Sequence, residues 1–99
     1  MIVRIFQVTT QPGKEAAFGR FFHETAIPLM QRTPGLVALT PCAPRAESPR
    51  EFAMVMVWRD LAALKAFAGE DFENPHIDPA EADLVAARRI AHYELVEVA

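Results

Sequence analysis

The 99-residue sequence predicts a single α+β domain with the element order β-α-β-β-α-β. Short apolar stretches with strand character alternate with two stretches of helical periodicity in that order. Turn-forming Pro-Gly pairs separate the first strand from the first helix, and that helix from the second strand. In this ferredoxin-like arrangement both helices cover one face of a four-stranded antiparallel sheet.

The first strand is expected at residues 2–9, followed by a turn and a helix from Lys14 to about Arg32. The apolar stripe of this helix consists of Phe18, Phe22, Thr25 and Leu29. Pro28 lies inside the pattern and lacks a backbone N–H. We therefore expect either a kink or a helix that stops near Ala26 and resumes as a turn.

The second strand is expected at residues 36–40, where Pro41 marks an edge strand because it cannot donate to a ladder. Three prolines among residues 41–51 predict a loop. The third strand, residues 52–58, is an inner strand that is apolar on both faces. One face carries Phe52, Met54, Met56 and Trp58, and the other carries Ala53, Val55 and Val57.

A second helix is predicted over Leu61–Ala68, with Asp60 as its N-cap and Gly69 as its terminator. An Asp-Pro-Ala-Glu sequence then gives a start signal for a short helix over about residues 78–87. The last strand is expected at about residues 90–98.

The totals exclude several classes of function. The net charge is −3, and the only adjacent basic pair is Arg88-Arg89, so a nucleic acid is not expected as a partner. The longest apolar run is too short to cross a bilayer, and Arg4 interrupts the N-terminal apolar segment, so we expect no membrane partner and a cytoplasmic protein. Cys42 is the only cysteine, which precludes an internal disulfide.

The third strand predicts a homodimer. Leaving four large side chains of one face exposed forfeits about 6–12 kcal/mol, which rivals the whole stability of a domain, about 5–15 kcal/mol. A second copy is the simplest cover, and it leaves space between sheet and helices for a small apolar or aromatic ligand. RNA-binding modules of the same element order need basic residues among exposed aromatics, and this strand has no charge.

Several segments together resemble the antibiotic biosynthesis monooxygenase (ABM) family of dimeric α/β-barrel proteins, over nearly the whole chain. They are Pro12-Gly13-Lys14, Pro34-Gly35-Leu36, Trp58 with Asp60-Leu61, Ala63-Leu64-Lys65-Ala66-Phe67, and His92-Tyr93-Glu94. The resemblance implies a homodimer with one apolar pocket per chain. It also implies a monooxygenase that oxidises a quinol-type or other small aromatic compound without a cofactor.

Two alternatives remain open under this resemblance. The first is a non-catalytic ligand-binding or stress-related barrel. The second is a haem-binding or haem-degrading protein, but the asparagine and tryptophan of that branch would fall at Phe6 and Phe67. Its haem-ligand histidine would fall one position beyond His76.

The candidate catalytic residues are His76, in the loop after the second helix, and His92 and Tyr93, on opposite faces of the last strand. Each has a structural alternative. His76 is then a solvated loop histidine, and His92 is a partner of Glu94 or of a residue on a neighbouring strand. Tyr93 then packs at the edge of the core. The side chains expected to line a substrate pocket are Phe6, Phe22, Met54, Met56, Trp58 and Phe67.

No metal or cofactor is expected. The acidic residues near His76 match no ligand motif, and the glycines are too far apart for a dinucleotide or phosphate loop. Cys42 has no evident activator as a nucleophile. Arg4 and Arg59 lie near strands and could pair an acidic group of a substrate, but exposed ion pairs are the commoner role of such residues and are expected here.

Overall fold

The computed structural model describes residues 1–74 and 78–98, and it has the predicted ferredoxin-like architecture. The strands are β1 Ile2–Thr10, β2 Leu36–Cys42, β3 Glu51–Trp58 and β4 Val85–Glu94. The helices are α1 Glu15–Phe21, α2 Ile27–Gln31 and α3 Leu61–Ala68. The strands form one antiparallel sheet in the order β2-β3-β1-β4, so β3 is an inner strand as predicted.

The two faces of the sheet differ sharply in burial. On β3, the side chains of Phe52, Met54, Met56 and Trp58 are 0–5% exposed and pack under the helices. Their partners on β1 continue this helix-covered face. The other face, which we call the open face, has Val3, Ile5, Ala53, Val55 and Val57 at its centre, all half-buried in the single chain.

Pro41 confirms the position of β2 at the edge of the sheet. It pairs with Met54 of β3, and β2 has no neighbour on its other side. An edge position is where a strand tolerates a proline, which cannot donate to a ladder. The loop predicted from residue 41 begins later, because β2 extends through Cys42.

The first helical region differs from both alternatives expected at Pro28. A π-helical turn, Phe22–Ala26, joins α1 to α2, and the backbone N–H of Ile27 donates to the carbonyl of Phe22, five residues earlier. Proline in a regular α-helix would collide with the carbonyl four residues before it. The wider π turn occupies that stretch, so the rod of residues 15–31 continues through Pro28.

Because of the π turn, the predicted apolar stripe is wrong in its second half. Phe18 and Phe22 are buried as predicted, but Thr25 and Leu29 are exposed, and Met30 is buried instead. A π turn adds one residue to the helical repeat, which rotates everything after it by about 100°. The buried face after residue 26 is consequently displaced by one position.

The α3 helix has the predicted ends. The side chain of Asp60 accepts a hydrogen bond from the backbone N–H of Ala63 at 2.8 Å, as an N-cap should. Gly69 follows the last residue with a φ of +85°. None of the helices in the described ranges is long and apolar enough to cross a membrane.

The prediction of a short helix over residues 78–87 is wrong. Asp78 accepts the N–H of Ala80 at 2.8 Å through its side chain and that of Glu81 at 2.9 Å through its carbonyl, which makes turns rather than a helix. Strand β4 begins at Val85, which pairs with Thr10. Pairing with β1 therefore prevails over the local helical signal.

The predicted end of the last strand is also too late. Glu94 pairs with Ile2, the first residue of β1, so the ladder has no further partner. Leu95 still donates its N–H to the carbonyl of Met1 at 3.0 Å. Beyond it, Val96 and Val98 are 79% and 95% exposed.

Candidate ligand-binding site

A cavity of about 150 Å³ lies between the helix-covered face of the sheet and the rod of residues 15–31. Its floor is formed by alternate residues of β1 and β3, and its roof by α1, the π turn and α2. The apolar lining residues are Phe6, Val8, Phe18, Phe21, Phe22, Ala26, Leu29, Met30, Phe52, Ala53, Met54, Met56 and Phe67. Only Arg4, Thr25, Asp78 and Glu81 contribute polar groups among the described lining residues.

The six residues expected to line a pocket are distributed as follows. Phe6, Phe22, Met54, Met56 and Phe67 border the cavity. Trp58 does not border it: the indole is fully buried and stacks on Phe67 with ring centroids 5.1 Å apart. Trp58 therefore supports a wall residue from behind.

The indole N–H of Trp58 is a buried donor with no hydrogen-bond partner in the described part of the chain. A tryptophan at a strand end is expected to find such a partner. A donor in this state costs about 1–3 kcal/mol, so the packing around the ring must outweigh that cost.

Three phenylalanines make the most rigid wall of the cavity. The ring centroid of Phe52 lies 4.8 Å from that of Phe18 and 5.4 Å from that of Phe22, in tilted arrangements. Phe18 and Phe22 are themselves 6.0 Å apart. Tilted contacts of this kind are favourable for aromatic rings and offer further ring edges and faces to an aromatic guest.

The π turn places Thr25 and Leu29 at the opening of the cavity. Both residues border it, yet both are exposed, because the turn has rotated them away from the core. π turns occur frequently at functional sites. The same irregularity that displaces the helical stripe thus forms the mouth of the cavity.

Arg4 forms the polar end of the cavity. The prediction of an exposed ion pair for Arg4 is wrong. The residue is only 4% exposed. Its Nη1 donates to the carbonyl of Phe72 at 2.7 Å and lies 3.0 Å from Nε2 of His92. Burial lowers the pKa of the guanidinium. Arg59, in contrast, does make the expected exposed ion pair, with Asp60 at 3.4 Å.

His92 lies behind Arg4 and does not itself border the cavity. Because an arginine has no acceptor atom, Nε2 of His92 must accept the hydrogen bond, which assigns the ring proton to Nδ1. Burial and the charge of Arg4 lower the pKa of the imidazole, while Glu73 opposes them. The ring packs edge-on against Phe72 at 5.2 Å, so His92 positions Arg4 as a neutral acceptor.

Two carboxyl side chains from the turn before β4 also border the cavity. Glu81 is 5% exposed, and its Oε1 lies 3.7 Å from Nε of Arg88. Asp78 is half-buried and accepts the N–H of Ala80. A cation and two carboxylates thus face one small apolar space.

The other two catalytic candidates are not brought to this cluster. Tyr93 pairs with Val3 on the open face and is 53% exposed, opposite to His92 as the strand alternation predicts. His76 lies outside the described residues. Within residues 1–74 and 78–98, no three His, Cys, Asp or Glu side chains are grouped closely enough to hold a metal ion.

Arg4 is a functional candidate that was not among the predicted site residues, although the sequence carries a signal for it. Strand period two puts it on the same face as Ile2, Phe6 and Val8. A charged residue in the middle of an otherwise apolar face is uncommon without a partner or a ligand. That anomaly can be read from the strand alternation alone.

The fold and the cavity define a ferredoxin-like α+β protein with an internal apolar cavity. The sequence model of the family described as antibiotic biosynthesis monooxygenase matches residues 1–72. Because this match spans more than half of the chain, the protein belongs to the ABM family. No curated protein matches the sequence significantly.

Solved structures agree with the fold. A proposed antibiotic biosynthesis monooxygenase from Deinococcus radiodurans is similar with a TM-score of 0.77 and 15% identity, over 100% of this chain and 96% of that one. Another, from Nitrosomonas europaea, has a TM-score of 0.77 and 18% identity, over 98% and 100%. A protein of unknown function from Nitrosomonas europaea has a TM-score of 0.75 and 21% identity, over 99% and 91%. At these identities the likeness is one of fold alone.

Proposed function

We propose that this ABM protein is a cofactor-independent monooxygenase that acts on a single-ring phenol or hydroquinone. The observation that carries the proposal is the cavity of about 150 Å³, walled by aromatic and aliphatic side chains, with only four polar residues among the described lining, Arg4, Thr25, Asp78 and Glu81. An apolar cavity of about this volume accommodates one benzene ring. Its polar end meets the hydroxyl of such a ring, while the walls exclude water from the rest of it.

The reaction needs little from the protein. A phenol with a free para C–H reacts with one O₂ to give a para-quinone and one water, and the ring supplies every electron. Loss of the phenol proton makes the ring a better electron donor, so a group that favours the phenolate accelerates the reaction. We assign stabilisation of the phenolate oxygen to Arg4 and uptake of the proton to the carboxylate of Asp78 or Glu81, because all three residues border the cavity.

The catalytic roles of His76, His92 and Tyr93 remain predictions, and each rests on a different relation to the cavity. His92 acts through Arg4, because its acceptor nitrogen is occupied by the guanidinium. Tyr93 lies on the open face, on the side of the sheet opposite to the cavity of its own chain. The only ligand within its reach would be one held by a partner chain. His76 stays a prediction from the sequence.

We further propose that the protein is a homodimer joined through the open face. Its central residues Val3, Ile5, Val55 and Val57 are all apolar, and they form one continuous patch across β1 and β3. Patches of this kind mark interfaces between chains. A second copy placed here leaves the cavity, on the other side of the sheet, within each chain.

Oxygen uptake tests the enzymatic proposal. The protein is incubated with a panel of phenols and hydroquinones, and labelled O₂ is used to separate oxygen insertion from simple oxidation. Uptake above the uncatalysed rate with label in the product supports a monooxygenase. Thermal shifts with the same compounds but no uptake would instead establish the non-catalytic binding protein.

A blocked mouth ties any activity to this cavity. Thr25→Trp places a large ring at the opening on an exposed residue, so the core is undisturbed. The matched control is Glu24→Trp, on the neighbouring exposed residue that does not border the cavity. Activity should fall in the first variant and persist in the second. Equal activity in both would place the chemistry elsewhere.

A further inference from the structure

Among residues 1–74 and 78–98, the buried cation Arg4 contacts only dipoles. Both of its polar contacts within the described residues run through Nη1, to the carbonyl of Phe72 and to the neutral ring of His92. No carboxylate of residues 1–74 and 78–98 lies within ion-pair distance of it. Buried charges are normally held by an opposite charge.

The guanidinium is also held rigidly and in the right place. The carbonyl of Phe72 fixes one edge of the guanidinium at 2.7 Å from Nη1. Strand β1 places the side chain on the cavity floor, beside Met56 and two residues along the strand from Phe6. A guanidinium has five N–H donors in a planar fork, so binding through Nη1 leaves Nη2 and Nε as further donors. Such a fork matches the oxygen atoms of an anion.

We propose that the ligand of this cavity is an aromatic monoanion whose ionised oxygen binds the guanidinium of Arg4. The inference rests on the proposed function, since it assigns the ligand class of the same cavity. The ring of the ligand lies among the phenylalanines of the walls. Its oxygen supplies the negative charge that the buried arginine lacks.

The neighbouring carboxylates limit the charge of the ligand to one. Asp78 and Glu81 border the same cavity. Asp78 is held by the N–H of Ala80, and Glu81 lies 3.7 Å from Arg88, so neither is placed to neutralise Arg4. They repel a second ionised group on the ligand while accepting hydrogen bonds from a neutral hydroxyl.

The ionised oxygen has two chemical sources. A carboxylate brings its charge into the cavity, whereas a phenol must lose its proton, to Asp78 or Glu81, as it binds. Benzoate tests the first source. 4-Nitrophenol tests the second, because its phenolate and phenol forms have different colours.

The experiment compares matched probes by calorimetry without oxygen, so that no turnover is needed. Benzoate should bind the wild-type protein roughly ten- to a hundredfold more tightly than neutral benzyl alcohol, the range expected of a charge-assisted hydrogen bond. Phthalate, a dianion, should bind more weakly than benzoate. At a pH where free 4-nitrophenol is mostly protonated, the bound compound should have the colour of the phenolate.

Variants assign the effect to Arg4. Arg4→Met should abolish the preference for benzoate over benzyl alcohol, while Arg4→Lys should restore part of it because the charge returns. The control is Arg45→Met, since Arg45 is an exposed arginine with its own carboxylate, Glu47, at 2.6 Å. Circular dichroism checks that each variant is folded. If Arg4→Met does not fold, the probe comparison in the wild type and in Arg4→Lys decides the matter.

Three results would overturn the inference. They are equal binding of benzoate and benzyl alcohol to the wild type, an unchanged preference in folded Arg4→Met, and no binding of any anionic probe. Oxygen uptake separates this outcome from failure of the proposed function. A protein that binds benzoate through Arg4 but never consumes oxygen retains the inference and loses the enzymatic role.

Discussion

Arg4 and His92 face each other directly across β1 and β4, and their side chains meet with 3.0 Å between Nη1 and Nε2. A cation beside an imidazole keeps the imidazole neutral. The pair is therefore stable only while His92 carries no second charge, and this makes the stability of the fold depend on pH.

The pH dependence has a definite sign. Burial first, and the charge of Arg4 second, lower the pKa of folded His92 below its ordinary value of 6.5, although Glu73 opposes this. Above about pH 6.5 neither the folded nor the unfolded chain protonates the ring, and the contribution is complete. As the pH falls from there towards the lowered pKa, the unfolded chain binds a proton that the folded chain does not, so stability is lost.

Urea unfolding at a series of pH values measures this loss. His92→Asn should remove part of the decline in unfolding free energy below about pH 6.5. His23→Asn, at an exposed histidine, is the control and should leave the decline from His92 in place. A wild-type profile in the His92 variant would contradict the assignment.

Gly35→Ala should destabilise the protein strongly. Gly35 has a φ of +85°, and a Cβ there would lie 2.5 Å from Cβ of Ala63. Backbone strain of about 1–2 kcal/mol adds to an overpacking cost of about 1–3 kcal/mol. Gly13→Ala isolates the strain, because Gly13 has a φ of +81° with no atom within 4 Å of the added Cβ. Equal losses in urea unfolding would exclude a role for the contact with Ala63.

Asp60→Ala should reduce the unfolding free energy by about 0.5–2 kcal/mol, because the N-cap of α3 is lost. Asp60→Asn keeps a side-chain acceptor and should retain most of that stability. It loses the exposed ion pair with Arg59, which is worth about 0–1 kcal/mol. Chemical denaturation of both variants separates the cap from the charge, and an Asn variant as weak as the Ala variant would assign the effect to the ion pair.

Val55→Asp should break the proposed homodimer, since it places a charge at the centre of the open face. Light scattering should then change from about 22 kDa, twice the 11.0 kDa of the chain, to the mass of one chain. Ala62→Asp, on an exposed position of α3, adds the same charge and should leave the mass unchanged. A wild-type particle of 11 kDa would already refute the dimer.

The predictable parts of the fold are those decided locally. Asp60 and Gly69 define α3 because a cap and a left-handed glycine act within a few residues. Pro41 identifies the edge strand for a similarly local reason. By contrast, the helix-start signal at Asp78 was local as well, and it failed because the pairing of Val85 with Thr10 draws the chain into the sheet.

The site was less predictable than the fold. Alternation placed Phe6, Met54 and Met56 on the covered face, but the π turn left Thr25 and Leu29 exposed at the mouth of the cavity and buried Met30 instead. No sequence pattern marks a π turn unambiguously, since it depends on how the rod packs on the sheet. Trp58 shows the opposite limit: a large aromatic residue near a cavity can lie entirely behind its wall.

The alternation of side chains along β1 and β3 separates mutations that alter the cavity from mutations that alter the open face. Arg4, Phe6 and Met54 border the cavity, whereas Ile5 and Val55 lie on the other side of the same backbone. A point mutation in these strands therefore alters either the interior chemistry or the outer surface, and seldom both. Descendants of this gene are therefore free to change the lining of the cavity while the apolar surface of the open face stays the same.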